Sequence, residues 1–283
     1  MADAGLLLAV GGAVGLVLGL TGAGGSILAV PLLMLTLGWS LVQAAPVALI
    51  AVAAAAITGT WVAWRRSYVR YRAAALMGGL GLLFAPLGLR LAQAVPIAAL
   101  TLAFSLVLVG VAVRLWRQAV HAPAETQVLR AAVAGDAEPA HGPVCKLNPA
   151  TGRLIWTRPC AWVMAACGAA TGLLSGLFGV GGGFVIVPAL RAATELSMHS
   201  AVATSLMAIA IISSGTLAVA VVQGVALPLS TAAPFAVGAV AGMALGRVLT
   251  PYLAGPRLQQ GFAVLMGGTA LGVAGSALGW WTF

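Results

Sequence analysis

Apolar residues run along this chain in long unbroken stretches, separated by short polar punctuation. The stretches cover about 5–37, 41–64, 73–91 and 96–116, then about 159–194, 200–222, 228–249 and 258–281. Runs of about 18 apolar residues or more are long enough to span a bilayer as α-helices. They are continuous rather than alternating, which excludes a membrane β-barrel. The first and fifth stretches are interrupted, at residues 21–26 and 178–183, by glycine clusters. Between the two sets of four lies a polar interval, about 117–158.

The two sets are copies. The phrase from Gly15 to Pro31 returns as Gly172 to Pro188, an offset of 157 residues. The same offset pairs Ser40 with Ser197, Leu49 with Leu206, Gly81 with Gly238, Arg90 with Arg247 and Gly110 with Gly267. Repeats fix architecture before any local reading does. Matching Gly/Pro interruptions in the two halves of an apolar chain point to the binding site of a secondary transporter. The expected organisation is a first repeat over 1–117, a cytoplasmic linker over 118–158 and a second repeat over 159–283. Within the linker, two short alternating runs flank Asn148-Pro-Ala-Thr-Gly152, the pattern of a small β-hairpin.

Composition agrees. The chain is 61% hydrophobic and 7% charged, against about 25% charged for a soluble domain. The net charge of +9 is carried mostly by arginines in the short segments between apolar runs. That distribution marks membrane topology rather than nucleic-acid binding. Arg65, Arg66, Arg70 and Arg72 place one loop in the cytoplasm, yet its counterpart, 223–228, carries no charge. Equivalent loops with opposite charge bias imply repeats of opposite orientation. Inversion needs an odd number of crossings per half. A glycine-broken stretch that enters and leaves on one side, followed by three spans, supplies it. The arms of such a hairpin, about 15 and 12 residues, are each expected to fall short of a bilayer core of about 30 Å. If each broken stretch were instead one kinked span, the repeats would be parallel. The expected fold class is therefore an all-α polytopic membrane protein. It has two inverted-topology repeats, each with a Gly-broken re-entrant helical hairpin and about three transmembrane helices.

The chemistry sits at the breaks. Thr21, Gly22, Gly24, Gly25 and Ser26 form the first, and Phe178, Gly179, Gly181, Gly182 and Gly183 the second. Glycine permits positive φ and close approach of backbone to ligand. Irregular backbone at membrane depth is tolerated only inside protein or against a water-filled cavity. The helices restarting after each break present N-termini, each carrying about half a positive charge and free N–H donors, to a small anion. Thr204 and Ser205 offer hydroxyls just inside a span. Their first-half equivalents are Val47 and Ala48, so the site is expected to be asymmetric. Arg90 and Arg247 are basic residues at equivalent positions near span ends, candidates for a cavity mouth. The five acidic residues, Asp3, Glu125, Asp136, Glu138 and Glu195, lie outside the expected spans. Carboxylate-based proton coupling therefore lacks its residues. Gly179–Phe184 fails the dinucleotide fingerprint, because Phe184 stands where glycine is required. Cys145, Cys160 and Cys167 are odd in number and sit in no CxxC pattern. Neither a disulfide framework nor a metal site is expected, and no cofactor or enzyme activity is indicated.

The doubled glycine motif, the prolines that follow it and the segment 201–206 resemble the sulfite exporter TauE/SafE family, also called TSUP, over nearly the whole chain. The resemblance implies transport of sulfite, sulfoacetate or a related sulfur-containing anion, a sulfur oxyanion or organosulfonate, across the cytoplasmic membrane of a prokaryote. The expected partners are a small anion, the lipid bilayer and, as a homodimer, a second copy of the chain; no nucleic acid is expected. The competing readings are an anion channel and a non-transporting membrane scaffold or assembly factor.

Overall fold

The computed structural model describes residues 4–22, 25–65, 68–133, 144–146, 154–194, 196, 198–225, 227–253 and 256–277. Ten helices form in this order: α1 (Ala4–Thr21), α2 (Gly25–Leu37), α3 (Leu41–Arg65), α4 (Tyr71–Ala94) and α5 (Ile97–Val133), then α6 (Arg158–Phe178), α7 (Gly183–Ala193), α8 (Met198–Val222), α9 (Leu229–Leu253) and α10 (Pro256–Ala277). Seven helices among the described residues are long and apolar enough to cross a bilayer. The all-helical, multi-pass architecture stands as expected. Helix α5 runs on to Val133, where a polar linker was expected from 118. Its extension is rich in alanine and adds Gln118, Glu125, Gln127 and Leu129, good helix formers, around Pro123. The turn of the expected β-hairpin, 147–153, lies outside the described residues. Its flanks share one backbone bond, Ile155 N–H to Lys146 C=O at 2.9 Å.

The packing repeats as the sequence does. Exchanging α1–α5 for α6–α10 carries the contact α1·α9 onto α4·α6 and α3·α9 onto α4·α8. The pairs α3·α8, α5·α10 and α2·α7 are their own counterparts. The two closest crossings are glycine seams. A β-carbon placed on Gly11, Gly15 or Gly19 would strike the backbone at Phe235, Ala239 or Met243 in turn. Position numbers rise together, so α1 and α9 run parallel. Gly168, Gly172 and Gly176 meet Met77, Gly81 and Ala85 in the same sense, so α4 and α6 do too. Small residues let backbones approach where lipid offers no hydrophobic drive for association.

Both broken stretches double back. Gly182 lies against Thr171, seven residues before the end of α6, and Gly25 lies against Leu18 of α1. A helix that merely kinked would carry these residues onward, not down alongside. The base of the second hairpin is pinned. Cys145 forms a disulfide with Cys160 in the first turn of α6, and its N–H donates to Ala193 C=O at the end of α7. This corrects the expectation of no disulfide: the fold brings 144–146 between the two feet of the hairpin, a proximity that spacing alone does not reveal. Arm lengths also differ from expectation. Helices α1 and α6 rise about 27 and 32 Å, so the first arm nearly spans. In the second hairpin the glycine segment then descends through left-handed residues before the shorter helix begins.

Candidate functional site

The glycine segment of the second hairpin begins as a helix cap. Gly179 sits at φ 71 and returns its N–H to Ser175 C=O at 2.9 Å. Gly181 and Gly182 follow at φ 70 and 66, with Gly182 the N-cap of α7. Three left-handed residues in four positions is a path that side chains with a β-carbon resist. Phe178 anchors the tip by stacking on Phe104 of α5, centroids 5.2 Å apart. Residues 178–184 are all buried.

The tips reach past one another. Gly22 packs on Val202 of α8, and Gly179 packs on its equivalent, Ala45 of α3. These contacts lie near the starts of two helices at opposite ends of the bundle, so the turns themselves do not meet. Gly181 comes back to the middle. A β-carbon there would fall 2.7 Å from Ser213 Oγ and 2.9 Å from Val52 Cγ1, with Ile209 Cγ2 beyond at 3.7 Å. Val52 and Ile209 occupy equivalent positions of the two halves, so Gly181 lies close to the line that relates them.

Ser213 is the informative neighbour. Its side chain is fully buried, and its hydroxyl has no hydrogen-bond partner. A buried hydroxyl without a partner costs about 1–3 kcal/mol. It faces the start of α7, where the first two N–H groups, of Gly183 and Phe184, have no acceptor within the helix, while Val185 N–H donates to Gly182 C=O at 3.1 Å. Around it stand Thr171, Ser175 and Thr216, each 1% exposed or less. Thr171 Oγ1 donates to Cys167 C=O at 2.6 Å and Thr216 Oγ1 to Ile212 C=O at 2.7 Å. Ser175 Oγ and Thr216 Oγ1 are 3.4 Å apart. The first-half equivalents of these four are Val14, Leu18, Ala56 and Gly59, none of which carries a polar side chain. At these four positions the second break carries hydroxyls that the first lacks.

The other sequence-derived residues divide. Gly22, at φ 77, caps α1 by donating to Leu18 C=O at 2.7 Å; Gly25 and Ser26 open α2 and are buried. Gly24 lies outside the described residues. Thr21 Oγ1 is turned to Val17 C=O of its own helix at 2.8 Å, and Ser205 Oγ to Val202 C=O at 2.8 Å. Thr204 Oγ1 accepts the Arg70 N–H at 3.1 Å. Thr204 and Ser205 are therefore brought to the first break, beside Gly22, rather than to the second. Arg90 is exposed near the end of α4, and Arg247 is half-buried with its backbone beside Gly19. Sequence reasoning missed Ser213, Ser175, Thr216 and Thr171. The signal was available: the half-to-half comparison that singled out Thr204 and Ser205 also finds hydroxyls here against Ala56 and its neighbours. Among the described residues no group of three or more His, Cys, Asp or Glu gathers to hold a metal.

The family description Sulfite exporter TauE/SafE matches residues 7–281. A probable membrane transporter protein of Xylella fastidiosa (strain 9a5c) is 31% identical over 244 residues, 84% of this chain and 82% of the relative. A second, from Xylella fastidiosa (strain Temecula1 / ATCC 700964) and named in the same words, is 31% identical over 204 residues, 70% of this chain and 67% of the relative. No solved structure matches.

Proposed function

The chain belongs to the sulfite exporter TauE/SafE family, and on that premise we propose that it carries a small anion, sulfite or an organosulfonate such as sulfoacetate, by alternating access. The observation that carries this reading is the unpartnered, buried Ser213 hydroxyl facing Gly181 at the start of α7. Donors without acceptors in a dry interior are complementary to a ligand that only accepts, which is an oxyanion. The positive end of α7 adds attraction without a fixed cation, so the anion can leave again. Because 178–184 are packed shut, passage requires the hairpin and its surroundings to open first to one side and then to the other.

The doubled-back hairpins support inverted repeats. Each half then crosses the bilayer three times, and the arginine-rich loop 65–72 and the linker lie together in the cytoplasm while 223–228 lies outside. In a cell with a negative interior, an outward-moving monovalent anion gains about 2.3 kcal/mol per 100 mV. No carboxylate relay is needed for that direction, and the seven candidate spans contain no Asp or Glu.

The test is flux of sulfite and sulfoacetate by the purified chain in liposomes. Saturating initial rates are expected, with acceleration by a favourable potential. Absence of flux would leave a scaffold role, and flux proportional to concentration throughout would make the protein a channel.

A further inference from the structure

Arg70 belongs by sequence to the loop that marks topology, but the fold draws it inward. Its backbone N–H donates to Thr204 Oγ1 of α8 at 3.1 Å. The neighbouring Val69 is buried with Ala63 and Ala203. The Arg70 Nε is itself buried and has no hydrogen-bond partner. Thr204 is fully buried, and its acceptor side takes the Arg70 amide. A threonine hydroxyl still has its O–H to donate. Gly22, the turn of the first hairpin, packs on Val202 in the same turn of α8. The five acidic residues of the chain lie elsewhere in sequence, Glu195 the nearest to α8. A cationic side chain with an unpartnered Nε and a threonine whose hydroxyl takes that residue's own amide thus sit together near the start of α8, where the described residues supply no anionic acceptor.

We infer that Arg70 and Thr204 form a second anion station, which captures a sulfonate or sulfite oxyanion at the arginine-bearing end of the bundle. It rests on the transport reading above and extends it. The station lies nine residues before Ser213 on α8, about 14 Å along the helix. The anion would be drawn in by a full charge and handed to a site that holds it by hydroxyl and helix terminus alone. A guanidinium suits the first task, since its planar donors match an oxyanion and it stays protonated throughout. Loss of a charge-assisted bond at such a station acts on capture more than on the later opening step.

The experiment measures initial rates of sulfite and sulfoacetate uptake in liposomes against anion concentration, for the full chain and its variants at matched folded amounts. Arg70→Gln is expected to raise the half-saturation concentration about tenfold with the maximal rate within about twofold. Arg70→Lys keeps the charge without the planar donor and should fall between. Arg72→Gln removes an exposed arginine two residues away and should match the parent chain. The series is repeated in phosphatidylcholine vesicles free of anionic lipid. Persistence of the Arg70→Gln defect there supports capture of the transported anion; its disappearance assigns Arg70 to a lipid phosphate and overturns the inference. An Arg70→Gln curve that overlays Arg72→Gln, or a drop in maximal rate alone, also overturns it. If the parent chain carries neither anion, the transport reading itself has failed.

Discussion

At the residue scale the glycines divide into two kinds, and geometry separates them. Gly181 lies at φ 70 with Ser213 Oγ and Val52 Cγ1 within 3 Å of the place its β-carbon would take. Alanine there meets backbone strain of about 1–3 kcal/mol and pushes into the hydroxyl that faces α7. Gly110 lies in α5 with nothing within 4 Å. Gly181→Ala should cut flux about tenfold or more, while Gly110→Ala should leave it unchanged and gain up to about 1 kcal/mol of helix propensity. Flux per folded molecule decides it, and equal behaviour of the two variants would refute a conformational role for Gly181. Gly11 is no neutral comparator, although sequence alone makes it look like one: it lies in the α1·α9 seam, 2.2 Å from Phe235 O for a β-carbon. Glycine identity was visible in the chain, but which glycine holds a turn and which holds a seam was not. Ser213 was hidden for a related reason. A serine inside Ile211-Ile-Ser213-Ser-Gly215 reads as span filler until the second hairpin is laid against it.

At the element scale the doubling back was legible because the Gly/Pro interruptions marked where each apolar stretch breaks. The arms were not, since sequence shows where a helix breaks but not how far the chain travels before the next begins. The residues 179–182 take up that descent, which lets an 11-residue α7 return to the foot of a 21-residue α6. The Cys145–Cys160 link was illegible for the same reason: its partners meet only once α7 has come back beside α6. The parallel seams make a separate prediction about stability. A β-carbon at Gly172 would fall 2.0 Å from Gly81 O, backbone that cannot step aside without separating α4 from α6. Overpacking of this kind costs about 1–3 kcal/mol. Gly172→Ala should therefore lower the thermal unfolding midpoint in detergent, where Gly110→Ala does not. An unshifted midpoint would mean the seam is looser than drawn.

At the scale of the whole molecule, repetition of sequence became repetition of packing, and the polar chemistry departs from it. Equivalent helices meet equivalent helices, yet Thr171, Ser175, Ser213 and Thr216 face Val14, Leu18, Ala56 and Gly59 across the repeat. A symmetric frame can open alternately to two sides, and on the proposed reading the asymmetric lining would give an anion one principal resting place. The inverted orientation proposed from the charges is open to a direct test. In a background without native cysteines, Tyr68→Cys should react with an impermeant thiol reagent only after the membrane is opened, and Val225→Cys from outside. Labelling of both from one side would reverse the inverted arrangement. The Cys145–Cys160 disulfide stands against a cytoplasmic placement of the linker, since a reducing cytoplasm keeps most cysteine pairs as thiols. Thiol trapping in intact cells decides between them: the pair trapped as free thiols fits a linker inside, and the pair trapped as a disulfide would put the linker outside and reverse the orientation read from the arginines.

The central claim, that the second break holds the anion, rests on a hydroxyl the fold leaves unpartnered. Its removal separates binding from stability, because Ser213→Ala deletes no bond within the protein. The decisive measurement is sulfite uptake against concentration for Ser213→Ala beside the parent chain, with unfolding midpoints of both. The account predicts a half-saturation concentration raised about three- to tenfold, the worth of one net hydrogen bond, together with an unchanged or higher midpoint. A variant that transports with unaltered half-saturation, however stable, would contradict it.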